Sequence, residues 1–214
     1  TTHTLQICRE ACGGKGYLAE NMLADLKADT DIYTTFEGDN TVLMQLVAKS
    51  LLTDFRQEFH NTSFFTVLRF ITKRAELNLF DKNPIIIRNT DREHLLDPEF
   101  HLTILNHRER DQLISVAQRL QKYMKEMDAF TAFNNCQQHL VNLAQAHVDR
   151  IVLENFQTTL AGFEEGAEKQ VMTEVYQLFA ISLIDQNKGW YLENEYMTGT
   201  KTKAIRKLLS ELCG

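Results

Sequence analysis

The chain has 214 residues, of which 43% are hydrophobic and 24% charged, and its formal net charge is −6. This is the composition of an ordinary soluble globular protein, and its acidity argues against a surface that binds the phosphates of a nucleic acid. No run of about 18 apolar residues occurs, so we expect no membrane span.

The first 57 residues predict helices separated by a glycine-rich turn. Residues 1–12 have helical spacing, and the turn GGKGY (residues 13–17) ends this pattern because glycine tolerates conformations that other residues avoid. A short helix is predicted over residues 21–27 and a connecting segment over residues 31–36. Asp39, Asn40 and Thr41 can cap a further helix that runs to about Phe55.

The middle of the chain predicts a helix over residues 64–79 and then a long connection over residues 81–98. This connection contains Pro84 and Pro98, the two prolines of the chain, and the apolar run Ile85 to Ile87 predicts a brief extended piece.

Three long amphipathic helices are predicted from about Glu99, joined by short polar turns at residues 128–131 and 162–166. A last helix is predicted over residues 201–213. Such spacing and short turns favour antiparallel neighbours, so the predicted fold class is all-α, a helical bundle.

Histidines, cysteines and lysines suggest other sites only weakly. His139 and His147 lack the spacing of a zinc motif, so no metal is expected. Cys8 and Cys12 are one helical turn apart, which fits two small buried thiols better than a redox pair. The basic residues Lys201, Lys203, Arg206 and Lys207 fit a solvated helix face better than a phosphate site.

Glu37 is the strongest candidate for chemistry. It lies between Phe36, an apolar neighbour that can desolvate a carboxylate, and Gly38, which lets backbone approach a ligand. A solvated glutamate favoured by the dipole of the following helix explains the same position. From spacing alone, both readings stay open.

Two motifs together resemble the acyl-CoA dehydrogenase and oxidase superfamily. ACGGKGY (residues 11–17) is followed by Glu37 in TTFEGDNT (residues 34–41), twenty residues after Tyr17. The second motif resembles acyl-CoA oxidases in particular, and residues 135–150 and 189–195 are similar to the second helical domain of those oxidases. The resemblance spans essentially the whole chain.

The resemblance implies that Glu37 is the catalytic base. In this family, the base removes the α-proton of a fatty acyl-CoA while FAD accepts the β-hydrogen as hydride, which gives the trans-2-enoyl-CoA. The developing enolate is held by a flavin hydroxyl and by the backbone N–H of Glu37. Phe36 and Gly38, beside the base, are expected to meet the substrate.

The resemblance also implies a homodimer with a shared FAD site. Gly13, Gly14 and Gly16 match a turn that lies against the FAD of the neighbouring subunit, and Asp39, Asn40 and Thr41 match a stretch that touches flavin. Dehydrogenases have Thr at the position of Asp39 and commonly Arg at the position of Ala28, so this chain departs from them at both positions.

The implied organisation is that of a fragment. Residues 1–57 match the end of the dehydrogenase-like helical domain, and residues 58–214 match the second helical domain of oxidases. The domains that hold most of the flavin and acyl contacts have no counterpart in the chain, so we expect the fragment alone to be inactive.

The implied parent protein is an oxidase that reduces dioxygen to hydrogen peroxide. The alternatives are a dehydrogenase that passes electrons to an electron-transfer flavoprotein and a non-catalytic helical dimerisation module. The expected location is intracellular, in peroxisomes if the source is eukaryotic and in the cytoplasm if it is bacterial.

Overall fold

Helices dominate the computed structural model, which describes residues 2–57 and 84–214. In these two ranges every regular element is helical and no β-strand occurs. The prediction of an all-α fold is confirmed. The helix predicted over residues 64–79 lies outside the described residues. Among the helices described, none is long and apolar enough to cross a membrane.

The α-helices are numbered here in chain order over the described ranges. They are α1 (Thr2–Ala11), α2 (Leu23–Ile32), α3 (Asn40–Gln57), α4 (Pro84–Arg88), α5 (Arg92–Leu95), α6 (Pro98–Tyr123), α7 (Ala129–Asn135), α8 (Gln137–Ala161), α9 (Ala167–Gln186), α10 (Lys188–Glu193) and α11 (Gly199–Leu212). Two short 3₁₀ helices, Gly13–Tyr17 and Ala19–Asn21, connect α1 to α2.

The chain forms two compact units, and the boundary between them falls between Val47 and Ala48, inside α3. The domain boundary predicted from sequence lies ten residues later, between residues 57 and 58. Residues 58–83 are outside the described ranges, so that boundary stays a prediction.

In the first unit, α1 packs against α2 and against the glycine turn. Gly16 is the one buried residue among residues 2–47. A Cβ atom at this position would lie 2.2 Å from the carbonyl oxygen of Arg9, so only glycine lets the turn approach α1 this closely.

Two expectations about the first unit are corrected. Helix α2 continues to Ile32 instead of ending at Lys27. It packs against α1, where the Lys27 ammonium donates to the Gln6 side chain, and in its last turn the Thr30 hydroxyl donates to the Leu26 carbonyl at 2.9 Å. Cys8 and Cys12 are exposed and not buried.

The second unit is built on the long antiparallel pair α6 and α8. Arg108 pairs with Asp149, while Arg119, further along α6, lies near His139, an earlier residue of α8. Helix α9 contacts α6, α8 and α11. The sequence predicts three long helices as antiparallel neighbours, and these contacts confirm an antiparallel arrangement for α6 and α8.

The core of the second unit lies among α6, α8, α9 and α11. Burial of these side chains supplies most of the favourable free energy of folding. The buried side chains of this core are those of Leu95, Phe100, Ile104, Leu105, Leu153, Tyr176, Ala180, Ile181, Leu183, Ile184, Tyr191, Tyr196, Met197, Ile205 and Leu208.

Short helices replace two predicted connections. The predicted extended piece Ile85 to Ile87 is helix α4. The predicted turn at residues 128–131 begins helix α7, since the Asp128 carboxylate caps it by accepting from the N–H groups of Phe130 and Thr131 at 3.0 and 3.1 Å. The polar residues that suggested a turn are therefore a helix cap.

The basic run of α11 is not uniformly solvated. Lys203, Arg206 and Lys207 are exposed as predicted, but the side chain of Lys201 is completely buried. The expectation of a solvated face is therefore wrong at Lys201.

Candidate active site

The candidate base lies in a tight turn that joins α2 to α3. Two backbone hydrogen bonds close this turn, from Phe36 N–H to the Ile32 carbonyl and from Gly38 N–H to the Thr35 carbonyl, both at 3.0 Å. The turn thus places Glu37 between two residues whose amide groups are already bonded.

Gly38 and Asp39 convert the turn into a helix. Gly38 has a φ of +118°, a conformation that side-chain-bearing residues rarely adopt. The Asp39 carboxylate Oδ1 then accepts from Thr41 N–H at 2.8 Å and from Val42 N–H at 3.3 Å. The predicted capping role of Asp39 is confirmed, and Asn40 and Thr41 form the exposed first turn of α3.

Glu37 has two groups without a partner among the described residues. Its side chain is exposed, and its backbone N–H donates to no acceptor in the part of the chain that the structure describes. Phe36 is 59% exposed and stacks edge-on against Tyr33 at a ring-centroid distance of 5.5 Å. The turn therefore offers a carboxylate, an amide donor and an aromatic face, but it does not bury the carboxylate.

The glycine turn exposes bare backbone. A Cβ atom at Gly13 or Gly14 would have no heavy atom within 4 Å, so the surface at both positions is open. Asn21 stabilises the turn, because its side-chain amide donates to the Lys15 carbonyl at 2.7 Å. Gly13 and Gly14 can therefore contact a ligand closely, whereas Gly16 faces α1.

Helix α2 separates the two predicted parts of the site. The glycine turn precedes the start of α2, and Glu37 follows its end. A ten-residue helix is about 15 Å long. The fold therefore brings Glu37, Gly38 and Asp39 together but places the glycines at the other end of the helix.

Sequence reasoning did not single out Arg9, although its guanidinium lies 4.4 Å from the ring centroid of Tyr17, beside the glycine turn. The two residues are eight positions apart, so no helical or strand periodicity signals their contact. No group of three or more metal-binding side chains occurs among the described residues.

Comparison with protein families identifies both parts of the chain. Residues 1–52 match the model of the acyl-CoA oxidase C-alpha1 domain, and residues 97–214 match the acyl-CoA oxidase model. The chain is 36% identical to peroxisomal acyl-coenzyme A oxidase 2 of Arabidopsis thaliana over 212 residues, which cover 99% of the chain and 31% of that protein. It is 35% identical to an acyl-coenzyme A oxidase-like protein of Mus musculus over 215 residues, which cover 100% of the chain and 33% of that protein.

Solved structures of acyl-CoA oxidases share the fold of the chain. Acyl-CoA oxidase 1 of Yarrowia lipolytica superimposes with a TM-score of 0.80 at 24% identity, over 99% of this chain and 30% of that one. Acyl-CoA oxidase 2 of Caenorhabditis elegans, bound with FAD, ascaroside-CoA and ATP, gives 0.77 at 17% identity, over 99% and 30%. The chain spans about a third of the length of its relatives. By sequence, the chain belongs to the acyl-CoA oxidase family.

Proposed function

We propose that the chain is the carboxy-terminal part of an FAD-dependent fatty acyl-CoA oxidase in which Glu37 is the catalytic base. Family membership supports the reaction. The observation that carries the role of Glu37 is that neither its carboxylate nor its N–H has a partner among the described residues, in a turn that two backbone hydrogen bonds close. A base and an enolate donor on the same residue are what α-proton removal from a thioester needs.

Glu37 would perform the first proton transfer. Its carboxylate takes the α-proton of the acyl-CoA, and its N–H donates to the thioester oxygen on which negative charge develops. Bound FAD would supply the redox chemistry: it would be the acceptor of the β-hydrogen with its electron pair and the source of the two electrons that, with two protons, convert dioxygen to hydrogen peroxide. The organic product is the trans-2-enoyl-CoA.

Phe36 and Gly38 would guide the acyl chain to the base. The Phe36 ring supplies an apolar surface next to the carboxylate, and bound substrate would displace water from it. Gly38 has no side chain to obstruct the thioester.

The exposed glycines fit an FAD contact. Gly13 and Gly14 offer open backbone on which the adenosine diphosphate portion can lie, and Gly16 keeps the turn against α1. Asn40 and Thr41 offer an exposed amide and hydroxyl to the flavin. One carboxylate oxygen of Asp39 is engaged by the helix cap, so any flavin contact of Asp39 uses the other oxygen.

Glu37→Gln in the full-length enzyme tests the base. We expect turnover to fall by about 10²–10⁴-fold while FAD stays bound, because Gln keeps the side-chain shape but cannot accept the proton. Glu20→Gln, which alters another exposed glutamate of the first unit, is the control and should retain activity. More than a tenth of wild-type turnover in Glu37→Gln would contradict the assignment.

Reoxidation kinetics distinguish an oxidase from a dehydrogenase. Enzyme reduced with acyl-CoA and mixed with aerated buffer should reoxidise rapidly and release hydrogen peroxide. Slow reoxidation that a flavoprotein acceptor accelerates would support the dehydrogenase alternative instead.

The separation of the glycine turn from Glu37 by α2 supports a homodimer in which each FAD contacts two subunits. Mixing subunits tests this arrangement. Glu37→Gln and Gly14→Glu subunits, each inactive alone, should regain roughly a quarter of wild-type activity when randomly mixed, because half the dimers would contain one intact site. No recovery would mean that both parts of a site come from one subunit.

The proposed domain division is residues 1–57 and 58–214. The 214 residues alone should be colourless, and they should be inactive with acyl-CoA and added FAD. The proton step requires flavin, thioester and carboxylate held in reacting geometry, and this chain supplies one of the three.

For a eukaryotic parent, the names of the plant relatives support a peroxisomal location.

A further inference from the structure

Lys201, in the first turn of α11, joins four helices through its buried side chain. Its relative exposure is 0%. The ammonium Nζ lies 2.8 Å from the carbonyl oxygen of Ile86 in α4 and 2.9 Å from Nε2 of His94 in α5. It also lies 4.1 Å from the ring centroid of Phe100 in α6. We call these contacts the Lys201 latch.

No carboxylate pairs with Lys201 among the described ion pairs. A buried ammonium without hydrogen-bond acceptors would be strongly unfavourable. Here the acceptors are a carbonyl, a ring nitrogen and the negative face of an aromatic ring. The His94 nitrogen can accept only while the imidazole is neutral, because both ring nitrogens are donors in the protonated form.

We propose that the Lys201 latch is proton-sensitive: it fastens α4 and α5 to α11 while His94 is neutral and releases them when His94 is protonated. Protonation replaces an acceptor by a donor and places two cations at hydrogen-bonding distance. In this environment their repulsion outweighs what the Ile86 carbonyl and the Phe100 ring provide.

The charged groups around His94 act in opposing directions. Burial and the Lys201 charge lower the pKa of His94, while Asp97 and Asp91 raise it, and the net effect is a lowered pKa. Burial lowers the pKa of Lys201 to about 8, and His101, the neighbouring imidazole on α6, has a pKa lowered to about 4. Near neutral pH, Lys201 is mostly charged and both histidines are neutral, so the latch is closed.

The side chains of helix α4 are only partly covered. Ile85 and Ile86 are 76% and 46% exposed, and Ile87 is half-buried. Helix α5 has the exposed ion pair of Arg92 with Glu211 at 2.6 Å and the buried Leu95. Segments with few buried contacts open most readily, so α4 should open first when the latch is lost.

Hydrogen exchange of the full-length protein, measured by mass spectrometry and corrected for intrinsic exchange rates, tests the latch. Protection of amides in residues 84–95 should start to fall as pH drops through about 6.5, the pKa of a free imidazole, and the fall should approach tenfold per pH unit between that value and the lowered pKa of His94 in the closed latch. Because His101 also titrates in this range, the comparison uses a His101→Gln background, in which amides in the middle of α8 should keep their protection.

Variants separate the latch from general acid sensitivity. In the same background, His94→Gln keeps a neutral acceptor that cannot be protonated, so protection of residues 84–95 should become nearly independent of pH. Lys201→Met should lower the protection of residues 84–95 at every pH. His139→Gln, which changes another partly buried histidine of the second unit, is the matched control and should behave as wild type. The proposal is wrong if wild-type protection does not change with pH, or if His94→Gln shows the wild-type fall.

Discussion

Arg108 and Asp149 form a buried ion pair between α6 and α8, with guanidinium Nη1 2.8 Å from carboxylate Oδ2. Their side chains are 6% and 10% exposed. Gln145 also donates to the other oxygen of Asp149 at 2.7 Å. The pair therefore links α6 and α8 at one position of their contact.

Removing one partner of this ion pair should be costly. Arg108→Ala leaves the Asp149 carboxylate buried without its cation, and we expect the opening free energy of α6 and α8 to fall by about 3–5 kcal/mol. Native-state hydrogen exchange of the two helices measures this. Arg92→Ala is the matched control: its pair with Glu211 is also short, at 2.6 Å, but the side chains are 57% and 44% exposed. In Arg92→Ala we expect the opening free energy to fall by less than about 1 kcal/mol. Equal losses in both variants would contradict the argument from burial.

His101 should make the second unit sensitive to acid. Its Nε2 lies 2.7 Å from the Leu95 carbonyl, and burial lowers its pKa to about 4. The unfolded chain binds the proton near pH 6.5 and the folded chain does not. The neutral ring therefore contributes stability above about pH 6.5, and this contribution, roughly 3 kcal/mol, is lost as pH falls from about 6.5 to about 4. Unfolding free energies across this range should show the loss in wild type, whereas His101→Gln should flatten the curve; an unchanged slope would rule His101 out as the cause.

Gly38→Ala should impair the enzyme through the backbone. The φ of +118° at this position is strained for alanine, with an expected cost of about 1–3 kcal/mol. Because Gly38 directly follows Glu37, relief of the strain would move the base, and kcat of the full-length enzyme should fall. The Cβ atom itself would meet only Leu43, at 3.8 Å. Wild-type kcat with unchanged thermal stability would show that this conformation is not needed.

Two glycines of the same turn should respond differently to alanine. At Gly16, the new Cβ atom would lie 2.2 Å from the Arg9 carbonyl oxygen, so Gly16→Ala should displace the turn from α1 and increase hydrogen exchange in residues 13–17. At Gly14, the methyl group has open space, so Gly14→Ala should leave exchange unchanged. If the proposed FAD contact is right, Gly14→Ala should still weaken FAD binding in reconstitution of the apoenzyme.

Local signals in the sequence determined the long helices of the second unit and marked the candidate site. Asp39 is a helix cap as its residue type predicts, and the short polar stretch at residues 162–166 does separate two long helices. Glu37 and the glycine turn are recognisable because their motifs are continuous in sequence. Such signals act over about four residues, the reach of a helical turn or a cap.

Tertiary structure alone decided which polar residues are buried and where weak helices end. Lys201 resembles its exposed neighbours in sequence, but its partner Ile86 lies 115 positions away, and their contact buries the ammonium. Helix α2 packs on α1 and runs past its expected end at Lys27 to Ile32. Burial and charge pairing depend on distant partners, and one sequence read locally does not contain their positions.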